Sequence, residues 1–292
     1  MAHLSNDSPL FHPLRPIRAA ALILVLAILA CNAPGLAPTP SPAPTSTPIP
    51  TPTHTPEPAD TGWILLEPGV QLRQVQVATG DVAERLLLIR LDPADFRFRV
   101  LYTPGTARRV SQWATEAMDA SPLVVVNGGY FTPEHQSVGL VVSDRQVYGV
   151  PYGDFAGMFA VLPGGRVQVR WLAAQPYDPG EMLLEAVQSF PVLVRPGGAL
   201  GFPADADDGR PARRTVVAQD QEGCILFIVA TRGYLALHEL ARWLVESDLD
   251  LDTALNLDGG QSTGLYVSAG HPRIEVDSLV PVPSVIVVQR RE

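Results

Sequence analysis

The sequence has few cysteines and few charged residues for its length. Only two of its 292 residues are cysteine, so a disulfide framework cannot hold the fold together. Charged residues make up 17% of the chain and hydrophobic residues 46%, a balance that favours a folded protein with a sizeable core. The formal net charge is -9, and the body of the chain has no run of Lys and Arg. Because phosphate neutralisation requires clustered basic residues, nucleic acid is not an expected partner.

Motifs of several common enzyme classes are also missing. The chain has no P-loop and no Gly-x-Ser-x-Gly elbow. No group of His, Cys, Asp and Glu residues has the spacing that is typical of a metal site. His238, which lies in a helical pattern, is therefore interpreted as a surface or packing residue rather than a ligand.

The first 31 residues are typical of an export signal. Arg15 and Arg18 precede an apolar run over 19–30, which is too short to span a bilayer at about 1.5 Å per residue but suits a signal-peptide core. The run ends in Leu29-Ala30-Cys31, which resembles the bacterial lipobox, where the cysteine is lipidated and becomes the mature N-terminus. We therefore predict an exported protein that a lipid on Cys31 anchors to the cell membrane outside the cytoplasm. An ordinary secretory signal is the alternative.

Residues 32–60 are predicted to form a linker. The segment contains ten Pro and six Thr, so it cannot bury a core and lacks many backbone donors. Such a composition favours an extended, polyproline-like spacer of up to about 3.1 Å per residue. A spacer of this kind holds a domain away from a membrane or wall, which agrees with a lipid anchor.

Residues 61–292 are predicted to form a single large domain of the α+β class. Short runs rich in β-branched and aromatic residues alternate with turns, and Phe96-Arg97-Phe98-Arg99-Val100 has the alternation of a half-buried strand. A short helix that Ser111 caps is expected to follow. A longer helix is expected over 235–249, where apolar residues recur at helical spacing. The core should therefore be a mixed or antiparallel β-sheet with a few packed helices.

Two stretches share one pattern, an apolar strand that ends in a polar residue and two glycines. They are Val124-Val125-Val126-Asn127-Gly128-Gly129 and Leu255-Asn256-Leu257-Asp258-Gly259-Gly260. Glycines allow a tight corner and close backbone approach, so each polar side chain would be displayed at a strand end. If the two strands are neighbours, Asn127 and Asp258 converge at one end of a sheet. Two unrelated turns are the alternative.

Two further residues bear on the chemistry. Arg214 opens an apolar strand, a place that suits bidentate binding of phosphate or carboxylate, although an exposed charge at a strand edge would look the same. Cys224 begins the apolar run Cys-Ile-Leu-Phe-Ile-Val-Ala and has no partner if Cys31 is acylated. We interpret Cys224 as a buried, inert thiol.

Taken in order along residues 70–290, these segments resemble the phosphodiester glycosidase family. This family includes the lysosomal enzyme that removes N-acetylglucosamine from a mannose-6-phosphate diester, and many bacterial exported proteins. The resemblance is carried by the two glycine corners together with Gln188-Ser189-Phe190-Pro191, Arg214-Thr215, the helix at Glu239-Leu240-Ala241 and the closing Val282-Pro283-Ser284-Val285. The chain departs from the family at Ala218, where many relatives have Gly. It also has Thr231-Arg232-Gly233 where many have an Asp-Gly pair, which removes a carboxylate from near the expected site.

The resemblance implies hydrolysis of a sugar-1-phosphodiester on its glycosidic side, with a glycan or sugar phosphate as substrate. It implies that Asp258, Arg214 and Asn127 are catalytic. The residues expected to bind substrate are Gly128, Gly259, Gly260, Ser262 and Thr263.

The expected mechanism assigns a role to each catalytic residue. Asp258 would stabilise the positive charge that develops on the sugar, either as nucleophile or as base for water. Arg214 would anchor the anionic phosphodiester, and Asn127 would hold a sugar hydroxyl or orient the carboxylate. The second carboxylate stays open between Asp220, Asp154 and Glu239.

Two other functions fit the same residues. One is a module that binds wall or exopolysaccharide glycans in this cleft without chemistry. The other is a different hydrolase or transferase acting on glycan phosphates. A metal requirement would favour the second, because Asp258 and Asn127 could ligate a divalent cation through oxygen. No other cofactor is expected.

Overall fold

The computed structural model describes residues 58–117, 123–151, 153 and 157–291, which lie within one unit that begins at residue 55. The predicted signal peptide, Cys31, most of the predicted linker and Asp154 lie outside the described residues. Ala59 and Asp60, assigned above to the linker, already belong to the fold. The N–H of Gln76 donates to Ala59 O (2.7 Å), and Asp60 forms a β-bridge with Val75. No helix among the described residues is long and apolar enough to cross a membrane.

Strands dominate the described part of the chain. In chain order they are β1 (Ile64–Glu67), β2 (Val70–Thr79), β3 (Val82–Leu91), β4 (Phe96–Tyr102), β5 (Val124–Asn127), β6 (Val141–Ser143), β7 (Gln146–Tyr148), β8 (Gly157–Val161), β9 (Val167–Trp171), β10 (Glu185–Ser189), β11 (Val192–Arg195), β12 (Ala199–Leu200), β13 (Arg214–Asp220), β14 (Ile225–Ala230), β15 (Leu251–Asn256), β16 (Leu265–Val267), β17 (Ile274–Val276) and β18 (Ser284–Arg290). The helices are α1 (Val110–Glu116) and α2 (Leu237–Glu246).

The strands form three sheets. The first has the order β1-β2-β3-β14-β13-β15-β11-β12, the second β7-β6-β10-β8-β9, and the third β17-β16-β5-β18-β4. Every pairing between these named strands is antiparallel. The expected mixed or antiparallel core is therefore antiparallel. The protein is dominated by sheet to a greater degree than the term α+β suggests.

The main core lies where faces of all three sheets meet. Strand β14 contributes every second side chain to this core, because successive side chains of a strand point to opposite faces of the sheet. Phe227 and Val229 face this shared core, whereas Leu226 and Ile228 face a second core on the other side of the first sheet. A strand with both faces buried has a continuous apolar sequence, as the run that begins at Cys224 does.

The second core is covered by α2. Leu240, Ala241 and Leu244 are buried on one face of this helix. The helix starts two residues later and ends three residues earlier than predicted. At its start Glu239 Oε2 accepts the Ala236 N–H (2.9 Å), and at its end Ser247 has extended backbone angles.

The short helix α1 lies against the third sheet. Its Val110, Trp113 and Ala114 pack with residues of β5, β16 and β18. Ser111 lies inside this helix rather than before it, and its side chain donates to Asp277 Oδ2 (2.8 Å). The prediction that Ser111 caps this helix is therefore wrong, because the helix begins at Val110 and Ser111 binds a neighbouring loop.

Candidate active site

The two glycine corners meet, but they do so between sheets. β5 belongs to the third sheet and β15 to the first, so the proposed adjacency of the two strands within one sheet is wrong. The corners still converge. The Asp258 N–H donates to Gly128 O (3.2 Å), and Asn127 Nδ2 donates to Asp258 O (2.7 Å). After Asp258 the chain continues into β16, so this corner carries it from the first sheet to the third.

Asn127 holds this junction together. Its Oδ1 accepts hydrogen bonds from Thr215 Oγ1 (2.8 Å) and the Gly264 N–H (3.0 Å), and its Nδ2 also donates to Gly128 O (3.2 Å). The side chain is fully buried. Because both lone pairs of the oxygen are used, Asn127 has none left for a cation or a sugar hydroxyl. Its geometry is that of a positioning residue that fixes the Asp258 main chain.

The Asp258 carboxyl is the titratable group at the junction. It is half-buried, and its Oδ1 accepts the N–H of Gly259 (2.9 Å). Burial raises the pKa of Asp258 to about 6, and hydrogen bonds from the Ser262 side chain and the Gly259 N–H partly oppose this rise. A carboxyl with such a pKa exchanges its proton near neutral pH, as acid–base catalysis requires.

The two glycines after Asp258 let the corner lie against the start of β13. A Cβ on Gly259 would stand 2.9 Å from Arg213 O and 3.7 Å from Arg214 Cδ, so a side chain there would push β13 away. Gly260 has a φ of +60° and donates its N–H to Arg213 O (2.7 Å). The corner thus brings the Asp258 main chain beside Arg214.

Arg214 has unused donor capacity. Its Nη2 donates to Arg210 O (2.8 Å), while its Nε is buried without a partner among the described residues. Arg213 also has a buried Nε without a partner among the described residues, but its Nη2 donates to two carbonyls of the corner loops, Thr263 O (2.8 Å) and Asp277 O (3.2 Å). Burial lowers the pKa of Arg213. Arg213 thus anchors the loops of the corner, and Arg214 lies beside the Gly259 main chain.

The two hydroxyl residues that were predicted to bind substrate, Ser262 and Thr263, differ in their surroundings. Ser262 is bonded to the Asp258 carboxyl. Thr263 is fully buried, and its Oγ1 has no hydrogen-bond partner among the described residues. The expected contact between Thr263 and substrate stays a prediction.

The loop that follows β14 lies next to the site without contributing a carboxylate. Thr231 Oγ1 donates to Arg85 O (3.1 Å). The fully buried Glu84 accepts the N–H groups of Arg232 (2.7 Å) and Tyr234 (2.6 Å). Sequence reasoning missed Glu84, because its partners are about 150 residues away along the chain.

The candidates for a second carboxylate do not join Asp258. Asp220 lies at the opposite end of β13 from Arg214, where it accepts a hydrogen bond from Arg90 (2.8 Å). Glu239 caps α2. Asp154 lies outside the described residues. Neither Asp220 nor Glu239 is therefore placed to act as the second carboxylate.

One group of three potential metal ligands occurs among the described residues, Asp220, Glu222 and Cys224. Arg90 donates to both carboxylates, so their charge is already compensated in part. Cys224 is half-buried rather than buried as predicted, and burial raises the pKa of its thiol. A raised pKa disfavours the thiolate, which agrees with an unreactive cysteine.

Sequence reasoning also missed a group beside Asp258. Asn256, two residues earlier, donates from Nδ2 to Tyr130 Oη (2.8 Å) and Phe190 O (3.0 Å). Its Oδ1 is buried without a partner among the described residues. The rings of Tyr130 and Phe190 stack with centroids 4.5 Å apart. The signal was the Asn-Leu-Asp spacing, which places two polar side chains two residues apart where a buried strand ends.

Comparison with known proteins agrees with this arrangement. Residues 121–289 match the model of the phosphodiester glycosidase family. No curated protein sequence matches the chain.

Several solved structures share the fold. The zebrafish N-acetylglucosamine-1-phosphodiester alpha-N-acetylglucosaminidase catalytic domain, auto-inhibited by its pro-peptide, has a TM-score of 0.58 and 17% identity over 82% of this chain and 86% of its own. A hypothetical protein from Synechocystis has a TM-score of 0.55 and 16% identity over 78% of this chain, which spans 63% of that protein. A protein from Burkholderia pseudomallei has a TM-score of 0.52 and 15% identity over 71% of this chain and 74% of its own. The family match covers more than half of the residues of this chain. The chain therefore belongs to the phosphodiester glycosidase family.

Proposed function

We propose that the protein hydrolyses the glycosidic bond of sugar-1-phosphodiesters carried on glycans. The observation that carries the proposal is the half-buried Asp258 carboxyl, with a pKa of about 6, at the junction of two glycine corners and beside the start of β13. The family match supports glycosidase chemistry. The zebrafish relative, whose name specifies an N-acetylglucosamine-1-phosphodiester, supports this substrate class.

Breaking the anomeric C–O bond builds positive charge on the sugar. The ionised Asp258 stabilises that charge, as nucleophile or as base for water. The group that leaves is a phosphate monoester anion, and the donor capacity of Arg214 suits that charge. Asn127 contributes by fixing the Asp258 main chain. Since Asp258 acts as carboxylate, kcat/KM rises as pH increases through its pKa of about 6.

The test is sugar release from a panel of sugar-1-phosphodiesters by the purified protein, with and without chelator. Asp258→Asn is expected to lower kcat/KM by at least about 100-fold, because it removes the acid–base group. Asp205→Asn, which makes the same change in the exposed loop before β13, serves as matched control. Unchanged turnover in Asp258→Asn excludes the assignment of Asp258.

A glycan-binding module without catalysis is the second candidate. It is favoured by one observation, that Thr231 bonds to the main chain where many relatives have an acidic residue. Glycan binding without sugar release across the panel, equal in Asp258→Asn and the parent protein, would support this function. Loss of activity on chelation would instead support a metal-dependent hydrolase or transferase on glycan phosphates.

The proposed location is the outside of the cell membrane, with a lipid on Cys31. The support is the apolar run that ends in Leu29-Ala30-Cys31 and the proline-rich segment after it. Metabolic labelling with an alkyne fatty acid in a bacterial host should tag the parent protein and not Cys31→Ser. Cys224→Ser is the control and should keep the label. Labelling of Cys31→Ser would contradict the anchor.

A further inference from the structure

A second candidate site lies at the other end of β10 from Phe190. Two cavities of about 380 Å³ and about 390 Å³ adjoin there, and Arg145 and Leu184 line both. Each falls within the roughly 300–1,000 Å³ that small-molecule sites occupy. We call the pair the β10 groove. Neither cavity is lined by Asp258, Arg214 or Asn256.

The first cavity of the β10 groove is basic. Arg97, Arg145 and Arg291 line it, and none of the three forms an ion pair with a carboxylate among the described residues. Arg291 donates only to main-chain carbonyls, those of Phe96 (2.9 Å), Pro93 (3.1 Å) and Gly165 (3.0 Å). These bonds hold the guanidinium in place and leave its charge uncompensated. A rigid, unpaired guanidinium favours an anionic ligand.

Two carboxylates also line this cavity, and they offset the arginines only in part. Asp144 is exposed to solvent, which screens its charge. Glu185 is buried, and its Oε2 accepts the N–H groups of Val100 and Asp144, each at 3.1 Å. Burial raises the pKa of Glu185, so its charged form is disfavoured. The cavity therefore keeps a positive balance.

The second cavity is lined mainly by apolar side chains. They include Val142, Val147, Tyr177, Met182 and Leu183. Val147 is 57% exposed and Met182 76% exposed, which is unusual for large hydrophobic residues at the rim of a recess. Exposed apolar groups around a concave surface mark a site that buries them on binding.

We propose that the β10 groove binds one amphiphilic anion, with its phosphate or carboxylate head at Arg97, Arg145 and Arg291 and its alkyl or isoprenoid chain along Val147 and Met182. The two halves of the groove meet at Arg145, which suits a ligand whose charged and apolar parts are joined. A hydrophilic saccharide would leave the apolar half unfilled. The proposal is independent of the proposed hydrolysis, because Glu185 and Ser189 at the two ends of β10 are about 13 Å apart at strand spacing.

Isothermal titration calorimetry of the full-length protein tests the proposal, with octyl phosphate as probe below its micelle-forming concentration. Octyl glucoside supplies the same chain without charge, and inorganic phosphate supplies the charge without a chain. Octyl phosphate should bind at least about tenfold more tightly than either, a difference of about 1.4 kcal/mol. Equal affinities for octyl phosphate and either comparison ligand would overturn the proposal.

Exposed substitutions separate the two halves of the groove without disturbing the core. Arg97→Gln should weaken octyl phosphate binding several-fold and leave octyl glucoside unaffected, and Met182→Gln should weaken both. Arg166→Gln and Leu279→Gln change an exposed arginine and an exposed apolar residue that do not line the groove. They should weaken the binding of neither octyl phosphate nor octyl glucoside. Loss of binding in these controls equal to that in the groove variants would also overturn the proposal. Thermal melting confirms that each variant is folded.

Discussion

At the scale of single residues, the site depends on how completely Asn127 and Asp258 are bonded. The Asn127 side chain makes four hydrogen bonds, one with the adjacent Gly128 O and three with distant parts of the chain. Asp258 has fewer partners than its burial requires, and so its carboxyl has a raised pKa. Asn127, whose side-chain hydrogen-bonding groups are all used, thus fixes the position of Asp258, whose carboxyl is poorly solvated.

Asn127→Ala should destabilise the protein strongly. The substitution leaves the Gly264 N–H, the Thr215 hydroxyl and Asp258 O without their partner. We expect a loss of about 2–5 kcal/mol in the free energy of unfolding, since each unpaired buried group costs about 1–3 kcal/mol. Urea unfolding followed by tryptophan fluorescence measures it. An unfolding midpoint equal to that of the parent protein would show that Asn127 does not hold the junction.

The raised pKa of Asp258 predicts how stability depends on pH. Its folded-state pKa of about 6 exceeds the ordinary aspartate value of 3.8, so its contribution is fully present below about pH 4 and is lost as pH rises through about 6. Compared with Asp258→Asn, the parent protein should lose about 2–3 kcal/mol of stability between pH 4 and pH 7. Urea unfolding of both proteins across this range tests it, and parallel stability curves would contradict the raised pKa.

At the scale of elements, β3 holds the loop that follows β14. Glu84, near the start of β3, accepts N–H groups from residues 85, 232 and 234 with its two carboxylate oxygens. The arrangement fixes a loop that packs against Arg213, where a Cβ on Gly233 would stand 3.0 Å from Arg213 N. The loop is therefore positioned from an adjacent strand rather than by its own turn residues.

Glu84→Gln should loosen this loop. In Gln an NH2 group replaces one carboxylate oxygen, so that a donor faces a main-chain N–H. This should lower the free energy of unfolding by about 1–3 kcal/mol. Hydrogen–deuterium exchange should become faster at the Arg232 and Tyr234 amides. Glu222→Gln makes the same charge change at a side chain that is 76% exposed, and exchange in the loop should not change. Equal exchange in Glu84→Gln and the parent protein would refute the role of Glu84.

At the scale of the whole molecule, three sheets share one core, and the candidate site forms where the chain passes between them. Gly128 lies at this contact. Its N–H donates to Ser284 O (2.9 Å), and a Cβ in its place would collide with Ser284 Oγ. The approach of β5 to β18 at this point therefore requires glycine.

Gly128→Ala should lower the free energy of unfolding by about 1–3 kcal/mol, as overpacking does. Adding Ser284→Gly removes the colliding hydroxymethyl group and should recover part of the loss. A double-mutant cycle on thermal or urea unfolding measures the coupling between the two sites. Additive effects with no recovery would show that the contact between Gly128 and Ser284 does not limit the packing.

The sequence by itself determined the local features of this protein. Apolar runs such as Ile225–Ala230 specify strands because alternate side chains face two cores, and the Asp258-Gly259-Gly260 triplet specifies a corner because glycine permits it. The tertiary structure decided the rest. It placed β5 and β15 in different sheets, turned Asn127 inward and brought Glu84 to a loop far along the chain. Hydrogen-bond partners and burial come from residues remote in sequence, and so no local pattern reveals them.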